Sequence, residues 1–333
     1  CSARLFVTDE FAAPPVILRV DDSVIGTLGN FSASTGKAKS KKTFNVCAIV
    51  AAAMTGGTVL NYSASLPPER RRILYVDTEQ SRFHCKRVLC RILRLAGLPT
   101  DVHPPLLEFL CLRGYATKER LRKIEEAIYD LDDLGLVVID GIRDLAHDIN
   151  SPGEATDLIT KLMQWTDERR IHIHTVLHLN KGDDNTRGHL GTELNNKAET
   201  VLQITKDDFD RDISSVAAMH IRDRDFEPFA FRINADALPE QVEDYQLRQT
   251  TAAKSFDYAE VCEAKHREAL ELLFSKADRV SYSSLIGRLQ SSYAAIGHSF
   301  GINKAKQLKV FLENKRMIVK EDKFYRYNPD FHY

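Results

Sequence analysis

The chain has 333 residues, 43% hydrophobic and 28% charged, with 46 Lys and Arg against 47 Asp and Glu. That length suggests about two domains. The balance of charge gives no global attraction to nucleic acid, so such a partner has to be met by a local patch. No apolar run is long enough to span a bilayer, which excludes a membrane partner at this level.

In chain order, "VIGTLGNFSAS" (24–34) reads as strand and runs into the loop "STGKAKSKKTF" (34–44). The apolar helix "TFNVCAIVAAAM" follows. Next come "ILYVD" (73–77), "LLEFLCL" (106–112), "LGLVVID" (134–140) and "IHIHTVLHL" (171–179). Near-continuous apolar runs of this kind mark strands buried on both faces of a parallel sheet. Between them lie three helical stretches, one with Leu121, Ile124, Ile128 and Leu131 at helical spacing. Leu162, Met163 and Trp165 on the last of these read as core. The alternation predicts an α/β domain with right-handed crossovers. After residue 200, "ETVLQITK", "SSVAAMHIR" and "PFAFRIN" read as antiparallel strands extending the same sheet.

The loop offers two registers of the phosphate-binding pattern G-x-x-x-x-G-K-[ST]. With Gly36-Lys37 as the G-K pair, Ala38 falls where a metal ligand is needed. With Gly36 as the first glycine, Lys42 is the phosphate lysine and Thr43 the metal ligand, and Lys41 stands in place of the second glycine. The second register is preferred, because it puts Lys42 and Thr43 at a helix N-terminus, where free N–H groups and the dipole attract anions. The candidate nucleotide-binding set is Gly36, Lys37, Ala38, Lys39, Ser40, Lys41, Lys42 and Thr43.

Two strands end in acids. Glu79 follows "ILYVD", at a carboxyl end where open α/β sheets place their ligands. A carboxylate there can orient and deprotonate a water. Asp140 ends "LVVID", a hydrophobic strand followed by Asp, the Walker B pattern whose carboxylate holds Mg²⁺. Asp77 and Glu79 can equally cap the next helix. His172, His174 and His178 alternate on one strand face, and buried or interface histidines are expected there rather than a metal site. Six scattered cysteines, with none at C-x-x-C spacing, read as free buried thiols in a reducing, cytoplasmic compartment. The sequence opens on Cys1 rather than methionine, as expected of a trimmed fragment.

With loop, Glu strand and Asp strand in this order, residues 20–235 resemble the RecA-type hexameric ATPases, in particular the plasmid RepA-like and DnaB-like replicative helicases. The resemblance implies a mostly parallel sheet flanked by helices with an antiparallel extension. It also implies ATP and Mg²⁺ as cofactors, Glu79 as catalytic base, and His178 as a sensor of the γ-phosphate or the attacking water. Residues 180–192 would be the loop facing single-stranded DNA in a ring channel, with Lys181, Arg187 and His189 as contacts. "HIRDRDF" resembles the family's basic finger pair, so Arg222 and Arg224 would reach a neighbouring subunit's nucleotide; an exposed, salt-bridged strand end is the plainer account. The assembly implied is a homo-oligomer, a hexamer. Lys41 departs from the family pattern and puts affinity and turnover in question.

Residues 236–255 read as a polar linker, leaving 1–235 as the ATPase domain and 256–333 as a smaller unit. There, three helices and a hairpin turning at Glu321-Asp322 resemble a small winged helix-turn-helix domain. From His298 to Arg326 eight basic residues face three acidic ones, a local excess of +5. Lys304, Lys306, Lys309 and Lys323 are its candidate contacts to duplex DNA; a protein-binding module is the plainer alternative. The function expected is a DNA-acting ATPase motor or helicase serving replication or mobilisation of a plasmid or mobile element. Two alternatives stand: a DNA-binding regulator or loader with a slow nucleotide site, and a filament-forming recombinase or repair ATPase.

Overall fold

Alternate residues of the strand at Leu134–Asp140 face opposite layers. Leu136 and Val138 join one buried cluster, Val137 and Ile139 the other, as a strand covered on both faces requires. The computed structural model describes residues 4–179, 188–207, 210, 212–243, 245, 258 and 261–331. The chain divides into two compact units, Cys1–Leu247 and Arg248–Tyr333.

The first unit opens with β1 (Val16–Val20), β2 (Ser23–Thr27), β3 (Phe31–Gly36), α1 (Lys42–Thr55), β4 (Thr58–Val59) and β5 (Tyr62–Ala64). It continues with β6 (Arg72–Asp77), α2 (Arg82–Leu95), β7 (Leu107–Cys111), α3 (Thr117–Asp130), β8 (Leu134–Asp140) and α4 (Pro152–Arg169). Then come β9 (His172–His178), α5 (Gly188–Lys197), β10 (Thr200–Lys206), β11 (Ile213–Ile221), β12 (Phe229–Ile233) and β13 (Pro239–Val242).

Nine strands form one sheet in the order β13-β12-β11-β10-β3-β9-β8-β6-β7. It is parallel from β10 to β7 and antiparallel from β10 to β13. The α/β core with its antiparallel extension is therefore as the sequence pattern predicts. Residues of α1 and α2 join the cluster on one face, and residues of α3, α4 and α5 the cluster on the other. α1 is buried along almost its whole length, which its alanines permit by letting neighbours approach closely.

Three features differ from expectation. "VIGTLGNFSAS" is not one strand. Gly29, at φ 87°, breaks it into β2 and β3, and β2 joins a separate small sheet of order β2-β1-β5-β4. β13 falls inside the stretch read as linker and pairs with β12, so the sheet extends past residue 235. Met163 is 38% exposed, whereas Leu162 and Trp165 are buried.

The second unit contains α6 (Glu263–Phe274), β14 (Val280–Ser281), α7 (Tyr282–Ala295), α8 (Ile302–Asn314), β15 (Ile318–Glu321) and β16 (Phe324–Tyr327). Its sheet order is β14-β16-β15. Leu270, Leu289, Leu308, Leu312 and Tyr325 are among the residues that fill its core. The hairpin turns at Asp322, where φ is 55°. β14 was not expected, because two residues leave no periodicity to read.

Candidate nucleotide site

The loop from Gly36 to Lys41 joins the carboxyl end of a central strand to the N-terminus of α1. Gly36 is obliged to be glycine. A Cβ there would lie 2.3 Å from the Ile204 carbonyl oxygen and 2.5 Å from Ser40 Oγ. Lys37, Ala38 and Lys39 are exposed, while Ser40 and Lys42 are buried. Lys39 and Lys41 both adopt left-handed backbone, at φ 65° and 68°. Lys41 thus keeps the conformation glycine would adopt freely, at a cost of about 1–2 kcal/mol for a residue with a Cβ.

The Lys42 ammonium turns into the loop and donates to the carbonyls of Gly36 at 2.8 Å and Lys37 at 2.9 Å. Burial lowers its pKa to about 8, against the opposing pull of Asp140 and Glu79. Thr43 Oγ1 donates to Asp140 Oδ2 at 2.9 Å, and the Tyr75 hydroxyl donates to the same oxygen at 2.9 Å. Burial raises the Asp140 carboxyl to about 6, with Asp77 adding to the rise. Among the described residues no group of three or more His, Cys, Asp or Glu gathers around a common point. Two oxygen donors, Thr43 and Asp140, suit a hard cation that completes its shell with phosphate oxygens and water.

β6 and β8 are in register with Asp77 opposite Asp140, which brings both strand tips to one cleft. Asp77 is not itself in the cleft lining. Its carboxylate accepts from the backbone N–H of Glu79 at 3.0 Å and of Gln80 at 2.7 Å, so it shapes the turn that carries Glu79. Glu79 is exposed to the cleft, with Oε1 3.6 Å from His178 Nε2. That imidazole holds the Glu79 carboxyl below the usual range, with Lys42 contributing. At 3.6 Å the contact is an ion-pair distance rather than a hydrogen bond. Gly141, at φ 105°, leaves room for this turn: a Cβ there would meet Thr78 Oγ1 at 2.2 Å and Glu79 Cγ at 3.1 Å.

A cleft of about 360 Å³ is lined by Ser40, Lys42, Thr43, Glu79, Asp140 and His178, with Phe44, Arg87 and Arg91 further along. Ser40 Oγ and His178 Nδ1 are buried there without a hydrogen-bond partner among the described residues. Leaving such a group unpaired costs about 1–3 kcal/mol, which a polar ligand in the cleft would offset. His172 and His174 lie deeper on the same strand. They bond Ser32 at 2.7 and 2.8 Å, and burial holds His174 neutral down to about 3. They are core residues, as expected.

Arg222 and Arg224 are exposed and outside this cleft. Ile221 pairs with Thr200, and Thr200 with Ser32 near the start of β3. The pair therefore sits at the end of the sheet opposite Gly36, about 13 Å away along the strand. Arg222 donates to the Lys197 carbonyl at 3.1 Å. His189 is exposed at the start of α5, whereas Lys181 and Arg187 lie outside the described residues. In the second unit Lys306 and Lys323 are exposed. Lys309 is engaged with Glu313 and with the face of Tyr325, and Lys304 lies over the ring of Tyr258; neither is a freely presented cation. Of the five described cysteines all are free, but only Cys47 and Cys85 are buried; Cys90 and Cys111 are half-buried and Cys262 is exposed.

Sequence reasoning missed Tyr75 and Thr78. Tyr75 reads as one more apolar strand residue. Thr78 Oγ1 ties to the Gly141 carbonyl at 2.9 Å, a partner 63 residues away that no local pattern reveals.

A family model described as an AAA domain matches residues 5–184, and the chain belongs to that family. An AAA domain is a P-loop ATPase domain, which agrees with the phosphate loop and the strand-tip acids described above. A solved structure of the RadB recombinase aligns with a TM-score of 0.46 at 16% identity, covering 65% of this chain and 92% of that one. No curated protein matches. No helix among the described residues is long and apolar enough to cross a membrane.

Proposed function

We propose that the protein is an ATP-hydrolysing motor that acts on DNA, akin to the RepA-like and DnaB-like helicases, working as a ring-forming homo-oligomer. The observation that carries the hydrolytic part is the convergence of Lys42, Thr43, Asp140 and Glu79 on one cleft. Lys42 exchanges its two loop carbonyls for β- and γ-phosphate oxygens. Thr43 and Asp140 would hold Mg²⁺, which would supply neutralisation of charge on the phosphates. Glu79, ionised at neutral pH, orients the attacking water and accepts its proton. His178 fixes the Glu79 carboxylate and senses the terminal phosphate. Arg222 and Arg224, at the opposite end of the sheet, serve a neighbour's cleft rather than their own.

The DNA-acting part draws support from the second unit, whose helix and strand order fits a winged helix. Lys306 and Lys323 are the cations it presents on α8 and on the hairpin turn. A slow nucleotide-dependent regulator is the second reading, favoured by the left-handed Lys41 and by Lys42 filling its own loop.

The deciding measurement is ATP turnover with and without single-stranded and duplex DNA, at two salt concentrations. The motor reading expects DNA-stimulated turnover that Glu79→Gln lowers by at least about 100-fold, with nucleotide binding retained. Turnover indifferent to both DNA and Glu79→Gln would sink it.

A further inference from the structure

Beside the nucleotide cleft, helix α2 carries Arg82, Lys86, Arg87, Arg91 and Arg94 and no acidic residue over its 14 positions. Arg82, Lys86, Arg87 and Arg94 are exposed, and none has a carboxylate partner among the described residues. Phe83 stands on the same face, 70% exposed. Phe83, Arg87 and Arg94 follow helical spacing, so cation and ring share a strip about 16 Å long. The strip is one wall of a groove of about 380 Å³, whose other wall is Asp236 and Ala237. Arg94 donates to the Asp236 carbonyl at 3.5 Å and Arg91 to the Ala237 carbonyl at 3.0 Å, so the carbonyls hold the basic side chains in place without neutralising them.

We infer that this groove binds single-stranded nucleic acid. Its phosphates lie along Lys86, Arg87 and Arg94, and a base stacks on Phe83. Uncompensated cations in a row beside a solvent-facing aromatic ring are what a sequence-tolerant single-strand site needs. A duplex keeps its bases stacked inside and offers Phe83 nothing. The groove also touches the ATP site: Arg87 and Arg91 line both cavities, and the Arg91 guanidinium lies 3.7 Å from the centre of the Phe44 ring, next to Thr43. A strand pulling on this arginine pair is therefore felt at the phosphate loop.

The inference shares with the proposed function only the expectation of nucleic acid, so its test uses no nucleotide. A fluorescent oligo-dT is titrated by anisotropy at two salt concentrations against the whole chain, with thermal melting as a fold control. Phe83→Ala should weaken binding about 5- to 100-fold. The pair Lys86→Ala/Arg94→Ala should lower the salt slope by about 1.4, two phosphates at about 0.7 each. Folded variants that bind oligo-dT like the parent overturn the inference while leaving the motor reading intact. It is likewise overturned if the parent binds no single strand, or if the variants lose self-association instead of oligonucleotide.

Discussion

Thr43 and Asp140 are 97 residues apart in sequence and share a 2.9 Å hydrogen bond, one at the first turn of α1 and the other at the tip of β8. The bond is made possible by the sheet order, which sets β8 two strands from β3 with β9 between them. Tyr75 completes the arrangement from the next strand. The carboxylate is thereby pre-aimed at the phosphate loop, at the cost of burying a charge.

That cost has a pH signature. The Asp140 carboxyl is raised from 3.8 to about 6, chiefly by burial. A folded-state pKa above the unfolded one gives stability that is complete below about pH 4 and lost as pH rises through 6. An asparagine side chain mimics the protonated carboxyl, so Asp140→Asn should match the parent near pH 4 and exceed it by up to about 3 kcal/mol at pH 8, less whatever Lys42 loses with its counter-charge. Denaturant unfolding across pH 4–8 checks this; parallel stability curves for the two proteins would contradict it.

Lys42 titrates at the other end of the range. Burial lowers it to about 8, so near pH 8 about half of the free protein carries a neutral amine. Phosphate oxygens favour the charged form. ATP binding should therefore take up about half a proton at pH 8 and almost none at pH 6.5. Calorimetry in two buffers of different ionisation enthalpy reads this directly. Lys42→Arg, charged at every accessible pH, should abolish the uptake.

The sheet and most helices were legible because their signals are local: Leu134–Asp140 is apolar throughout, and Ile124 and Ile128 recur at helical spacing. The order of phosphate loop, Glu79 and Asp140 was legible because each acid ends an apolar strand. What escaped was short or long-range. β1, β4 and β5 have five residues or fewer, and β1 pairs with β5 across 42 to 46 positions of sequence. The role of Tyr75 depends on a carboxylate 65 positions later. The engagement of Lys309 with Tyr325 likewise depends on how α8 meets the hairpin, which a count of charges does not contain.

Lys41 offers a gain rather than a loss. At φ 68° it holds a backbone conformation that glycine adopts without penalty. Lys41→Gly should stabilise the free protein by up to about 1 kcal/mol, or leave it unchanged where glycine's extra unfolded-state entropy offsets the relief. It should tighten ATP, since the loop then adjusts to phosphate without strain. Lys41→Val should act in the opposite direction on both, because a β-branched side chain tolerates positive φ worst. Thermal melts with and without ATP separate the two effects. If Gly and Val behave alike, the backbone at this position is not what limits the site.

Gly141 tests whether turnover depends on where Glu79 is held. The residue sits at φ 105°, and a Cβ would come within 2.2 Å of Thr78 Oγ1 and 3.1 Å of Glu79 Cγ. At 2.2 Å the Thr78 hydroxyl itself has to move, losing its hydrogen bonds to the Gly141 carbonyl and Asp144 Oδ2; the turn that carries the adjacent, exposed Glu79 shifts with it. Gly141→Ala should swing Glu79 away from His178 and cost about 1–3 kcal/mol of stability from the strained backbone. ATP affinity should hardly change, because Lys42 and the loop are untouched, while turnover falls by at least about tenfold, as expected when a general base is displaced by an ångström or so. A variant that melts lower but turns over at the parental rate would show that the position of Glu79 is not limiting, and would move the role of base to another residue of the cleft.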